Sequence, residues 1–95
     1  MRVPKLSEAE IERYLTDLPG WARQGDTVRR TYSFASFREA IAFVNVVADA
    51  AETADHHPDI DIRYRKVTLT LTTHDVAGLT VKDVALAADA DRRAA

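Results

Sequence analysis

The chain has 95 residues, 46% hydrophobic and 29% charged, with three glycines, three prolines and no cysteine. This composition is globular, bounds residues 1–95 to one small domain, and excludes disulfides, thiolate metal sites and cysteine nucleophiles. Thirteen Lys and Arg against fifteen Asp and Glu leave a formal charge of −2, so neither nucleic acid nor an anionic membrane is an expected partner. The opening MRVPKLSEAE lacks an apolar leader segment, and no run approaches the roughly 18 apolar residues of a membrane span. A cytoplasmic domain is the expectation.

Ser7 with Glu10 forms a capping-box pattern, and Ile11, Tyr14, Leu15 and Leu18 follow at helical spacing up to Pro19-Gly20. Trp21-Ala22-Arg23 reads as a short extended piece and Gln24-Gly25-Asp26 as a turn. Val28, Arg30, Tyr32 and Phe34 then alternate with polar residues, the period of a half-buried strand. Arg30 falls on the apolar face, which requires snorkelling or a register shift. Ser36 and Glu39 open a second helix, whose stripe runs through Phe37, Ala40, Ile41, Val44, Val47, Ala48 and Ala51, widened by Phe43 and Val46. The pattern fades near Ala54, and His57 before Pro58 is biased to extended geometry. Ile60, Ile62 and Tyr64 alternate, then Val67, Leu69 and Leu71 alternate with threonines, giving a second hairpin with a solvated threonine face. His74 to Leu79 reads as a loop. Thr80 and Asp83 cap a last helix, and the residues from Asp89 onward read as a fraying polar tail. The order is α-β-β-α-β-β-α, an α+β fold with an antiparallel sheet and helices packed on one face.

All three histidines fall at element ends. Glu52 and His56 are four residues apart, in reach of each other if the helix persists, and His57 turns away before Pro58. Only the fold can bring His74 to them. Three readings stay open on spacing alone: a structural corner, a general acid/base cluster, and a three-histidine metal site. The metal reading is the weakest, because adjacent extended residues point to opposite sides. No serine or cysteine stands in a nucleophile setting.

At these positions the sequence resembles the pterin-4a-carbinolamine dehydratase family. The family's pattern is a Glu, three residues, His-His-Pro, five residues, an aromatic, nine residues, a His, eight residues and an Asp. Here Glu52, His56-His57-Pro58, Tyr64, His74 and Asp83 match every interval. Leu18-Pro19-Gly20-Trp21, Thr73-His74-Asp75 and Gly78-Leu79-Thr80 add to the likeness, which spans about Leu6 to Asp89. The resemblance implies a four-stranded antiparallel sheet with three helices on one face. It also implies loss of water from a 4a-hydroxytetrahydropterin to give quinonoid dihydropterin, in regeneration of tetrahydrobiopterin for aromatic amino acid hydroxylases. Neither a metal nor an organic cofactor is implied. By resemblance His56, His57 and His74 share binding and acid/base roles, and Glu52 orients or polarises a histidine. His56-His57-Pro58 and Thr73-His74-Asp75-Val76 correspond to the substrate-binding segments. Tyr64 is expected as core or wall, and Asp83 as a cap that also faces the site. Homodimers or homotetramers are implied, and a non-catalytic assembly or dimerisation cofactor on the same fold is the alternative.

Overall fold

In the computed structural model, which describes residues 3–95, the chain order is α1 (Glu8–Thr16), β1 (Ala22–Gln24), β2 (Thr27–Ser33), α2 (Phe37–Ala54), β3 (Asp59–Arg63), β4 (Lys66–Leu71) and α3 (Val81–Ala94). Met1 and Arg2, part of the stretch read as lacking a leader, lie outside the described residues. The four strands form one antiparallel sheet in the order β1-β2-β4-β3. None of the helices among the described residues is long and apolar enough to cross a membrane.

The period-2 pattern sets which face is buried. Val28, Tyr32, Val67, Leu69 and Leu71 point to the helices, while Arg29, Thr31 and Ser33 of β2 face out, and Thr31 and Thr68 bond each other through their hydroxyls at 2.8 Å. All three helices contribute to the same core, with Ile11 from α1, Phe43 and Val47 from α2, and Leu86 and Ala87 from α3. Burying a leucine such as Leu69 or Leu71 stabilises the fold by about 1.5–3 kcal/mol. The buried side of α2 runs through Ala40, Phe43, Val47, Ala50 and Ala51, so its stripe is rotated from the sequence pattern and leaves Phe37 and Ala48 outside.

Helix starts follow their caps. Ser7 and Glu10 close a full capping box on α1, as do Thr80 and Asp83 on α3. At α2 the box is half made: Ser36 Oγ accepts from the Glu39 N–H, but the Glu39 carboxylate reaches past Ser36 to the Ala35 N–H at 3.1 Å. The expectation that the chain frays after Asp89 is wrong. Helix α3 continues to Ala94, because Asp91 accepts from Trp21 Nε1 at 3.1 Å, Arg30 at 2.9 Å and the Tyr32 hydroxyl. The same contacts answer the Arg30 question, since its guanidinium lies 4.6 Å from the Tyr32 ring centroid and pairs with Asp91 without a register shift.

Candidate functional site

The site begins where α2 stops. Asp55 adopts left-handed geometry (φ 51°, ψ 44°), which Asp tolerates better than most residues. Its N–H donates to the Glu52 carbonyl at 3.3 Å, and the His56 N–H donates to the Ala51 carbonyl at 3.1 Å, a Schellman-type close. This reversal overturns the expected Glu52–His56 pair. His56 leaves the helix face and its Nε2 meets Asp83 Oδ1 at 2.6 Å, while His57 Nε2 meets Glu52 at 2.5 Å. The i,i+4 rule fails because the helix does not continue through His56.

A second segment supplies the opposite wall. After β4, Thr73 and Gly78 pair in an isolated bridge, with the Thr73 N–H donating to the Gly78 carbonyl at 2.9 Å. The bridge pinches off residues 74–77, and His74–Val76 winds into one 3₁₀ turn where a plain loop was expected. Ala77 closes it in left-handed geometry. His74 and Asp75 are thereby exposed on a short, braced turn.

Between these segments lies a cleft of about 230 Å³. Asp55, His56 and His57 line one side, Thr72 through Asp75 the other, and Lys82 reaches it from the first turn of α3. All three imidazoles therefore border one space. Thr73, His74 and Asp75 line it, whereas Pro58 and Val76 do not, and Glu52 reaches it through His57. Asp55, Thr72 and Lys82 were not read from the sequence. Asp55 falls where the helical pattern fades, and Lys82 carries no sign in the sequence that ties it to the histidines.

Asp83 is both a cap and part of the site's support. Its Oδ2 accepts from the Thr80 N–H at 3.0 Å and the Thr73 hydroxyl at 2.8 Å, while Oδ1 holds His56. The residue is 1% exposed, so these contacts replace its hydration. Tyr64 is a correction. It sits in the β3–β4 turn with φ 54° and is 70% exposed, so it is neither core nor a wall of this cleft. Among the described residues no three His, Asp or Glu side chains are grouped to hold a metal ion. Asp83 and Glu52 each engage a histidine ring nitrogen, an arrangement that orients imidazoles for proton transfer.

The chain is a small α+β protein with a histidine-lined cleft between a helix end and a strand end, and the comparisons place it within one family. Residues 4–93 match the family model described as pterin 4 alpha carbinolamine dehydratase. A Roseiflexus sp. (strain RS-1) relative, provisionally named pterin-4-alpha-carbinolamine dehydratase, is 62% identical over 92% of this chain and 94% of its own. A Nocardia farcinica relative with the same provisional name is 52% identical over 99% of both chains. The crystal structure of a transcriptional coactivator/pterin dehydratase from Brucella melitensis superposes with a TM-score of 0.94 at 32% identity, covering 97% of this chain and all of the other. A pterin dehydratase-like protein identified as a RuBisCO assembly factor in the alpha-carboxysome shares the fold, with a TM-score of 0.65 at 23% identity over 78% of this chain and 86% of the other. The chain belongs to the pterin 4 alpha carbinolamine dehydratase family.

Proposed function

We propose that this protein is a dehydratase that converts a 4a-hydroxytetrahydropterin to the quinonoid dihydropterin and water. The observation that carries this reading is the meeting of His56, His57 and His74 at one cleft. The reaction needs a proton delivered to the departing 4a-hydroxyl and a proton removed from N5. Imidazole, which titrates near neutrality, serves as acid in one step and base in the other. The backbone of residues 56–57 and 73–75, which line the cleft, supplies donors and acceptors for the polar edge of the pterin ring. Glu52 orients His57, and no metal or organic cofactor takes part. The substrate would come from an aromatic amino acid hydroxylase working in the same cytoplasm, and the protein would act as a homodimer or homotetramer.

The test is direct. Purified protein added to a 4a-hydroxypterin generated by such a hydroxylase should speed its decay. His57→Ala and His74→Ala should each lower the rate by about 10²-fold or more, the usual worth of a general acid or base. A wild-type rate in either variant removes that histidine from the mechanism.

A second reading, a non-catalytic assembly or dimerisation cofactor, draws on one feature. Among the described residues, edge strand β3 has no neighbour on its outer side, and Ile60 and Ile62 there are each 38% exposed. A stoichiometric protein partner captured without any pterin turnover would favour it.

A further inference from the structure

We propose that the uncovered edge of β2 at Thr31 and Ser33 is a docking site for an extended acidic segment of a partner protein, which adds a strand there. This edge shares no lining residue with the histidine cleft.

Hydrogen-bond parity sets which way the backbone groups of β2 point. The Phe34 N–H donates to the Arg65 carbonyl at 2.9 Å, one step past the paired Ser33 and Lys66. Bonded and non-bonded pairs alternate along an antiparallel ladder. Val28, Arg30 and Tyr32 therefore bond β4, and Arg29, Thr31 and Ser33 turn their N–H and C=O groups the other way. On that side β1 covers only Thr27 to Arg29, its last pair being Ala22 with Arg29. Before Ala22 the chain leaves the edge, since Trp21 enters the core and its N–H donates to the Leu18 carbonyl at 3.0 Å. Past Ser33 the next outward group, the Ala35 N–H, is taken by the Glu39 carboxylate at 3.1 Å. Thr31 and Ser33 are left between, and among the described residues their outward N–H and C=O groups have no partner. Two donors and two acceptors in strand register are the complement of another extended chain.

The surroundings specify that chain. A groove of about 390 Å³ runs beside the edge, bordered by Tyr32 and Phe34 and by Asp91 and Ala94 of α3. A residue docked opposite Tyr32 points its side chain to this inner face, where half-buried Phe34 and Ala94 favour an apolar group. Its two neighbours, opposite Thr31 and Ser33, point to the outer face of the sheet. There Arg29 and Lys66 are exposed, and among the described residues neither pairs with a carboxylate. Arg29 is the diagonal neighbour of the residue opposite Thr31, within reach of a long side chain. Lys66 lies one strand beyond Ser33, about 10 Å from the docked backbone, a distance that a lysine and a glutamate side chain span together. The acids of the same face, Asp59 and Asp61, stand on β3, on the far side of β4. An acidic-apolar-acidic segment therefore matches this edge in backbone, shape and charge, although the whole chain carries −2.

The probe is a synthetic peptide, acetyl-Gly-Ser-Glu-Val-Glu-Ser-Gly-amide, titrated to about 1 mM into the ¹⁵N-labelled protein. In the free protein the Thr31 and Ser33 amides should exchange with solvent at least about tenfold faster than that of Tyr32, which bonds β4. The peptide should bind saturably, shift the Thr31 and Ser33 amide resonances most, and slow their exchange. Methylating both glutamate nitrogens, which face β2, should weaken binding at least about tenfold. Methylating the valine nitrogen, which faces away, should leave it within about twofold. Arg29→Glu combined with Lys66→Glu should weaken the peptide by a similar tenfold or so and favour one with Lys-Val-Lys at its centre. Slow exchange at Thr31 and Ser33 in the free protein, or an oligomer that the peptide dissociates in sedimentation, shows a second copy on the edge and overturns the docking site. Absence of saturable binding leaves the edge merely solvated and overturns it too. Equal binding by the peptide methylated on both glutamates reduces the contact to charge attraction and overturns strand addition.

Discussion

Helix α3 carries two carboxylates, Asp83 and Asp91, that each gather three hydrogen-bond donors, and they do so to different ends. Asp83 collects His56, Thr73 and the Thr80 N–H, all from the segments that frame the cleft. Asp91 collects Trp21, Arg30 and Tyr32, all from the sheet side of the opposite end. One carboxylate holds together the parts of a site, and the other fastens the end of a helix to the core. Asp83 has 1% of its side chain exposed and Asp91 25%, so the first depends more completely on its protein partners. The number of bonds a buried acid makes does not reveal its role. The identity of the donors does.

The comparison can be broken by truncating each acid. Asp83→Ala takes the carboxylate partner from the Thr80 N–H, the Thr73 hydroxyl and the His56 ring nitrogen Nε2 and removes a helix cap. We expect a loss of about 3 kcal/mol in urea unfolding. Pterin turnover per folded molecule should fall along with it. Asp91→Ala should cost less, about 1–2 kcal/mol, since water partly replaces the lost acceptor. Its turnover should stay within about twofold of wild type. Equal loss of turnover in the two variants would erase the distinction between them.

Titration sharpens the same contrast. Burial first, and then the hydrogen bond donated to Asp91, push the Tyr32 phenol well above its ordinary 10.0. A raised phenol favours the folded protein fully below pH 10.0 and progressively less as pH climbs through the folded value. Unfolding free energy should therefore decline above pH 10 in the wild type, and the decline should shrink in Tyr32→Phe. Helix α1 should respond in the opposite range. Hydrogen bonds from Ser7 lower Glu10, and the bond from Arg23 lowers Glu8, both from 4.5. Their contribution is present above 4.5 and lost as pH falls through the lowered values. Glu8 is exposed and Glu10 only partly covered, so amide exchange in α1 should report this small acid-side loosening better than global unfolding. The smallest effect is expected at Tyr64. Its left-handed backbone suits glycine, so Tyr64→Gly should move stability by no more than about 1 kcal/mol and leave turnover unchanged.

The two ends of α3 also mark how far the sequence could be read. Thr80 and Asp83 announce a helix start through local spacing, and the strand faces follow from alternation that a single buried face enforces. Asp91 carries no such local sign. Its partners lie 59 to 70 residues away, and the surrounding Asp89, Arg92 and Arg93 look like a solvated end. The convergence of the histidine pair with His74 was legible only through the fixed intervals of the family pattern. Which carboxylate meets which imidazole was not. The exchange of Glu52's partner turns on one left-handed residue, Asp55, and a backbone sign change leaves little trace in side-chain periodicity. Tyr64 was misread for the same reason, because an aromatic continuing an apolar alternation looks buried until the turn claims it.

The left-handed close at Asp55 makes the length of α2 a ruler for the site. Each residue added to a helix advances its end by about 1.5 Å and rotates it by about 100°. One alanine inserted before Asp55 would therefore carry His56 around the helix axis and away from Asp83, while every side chain of the site remained present. Substitutions within the outer face of α2 are open to change, but its residue count is not.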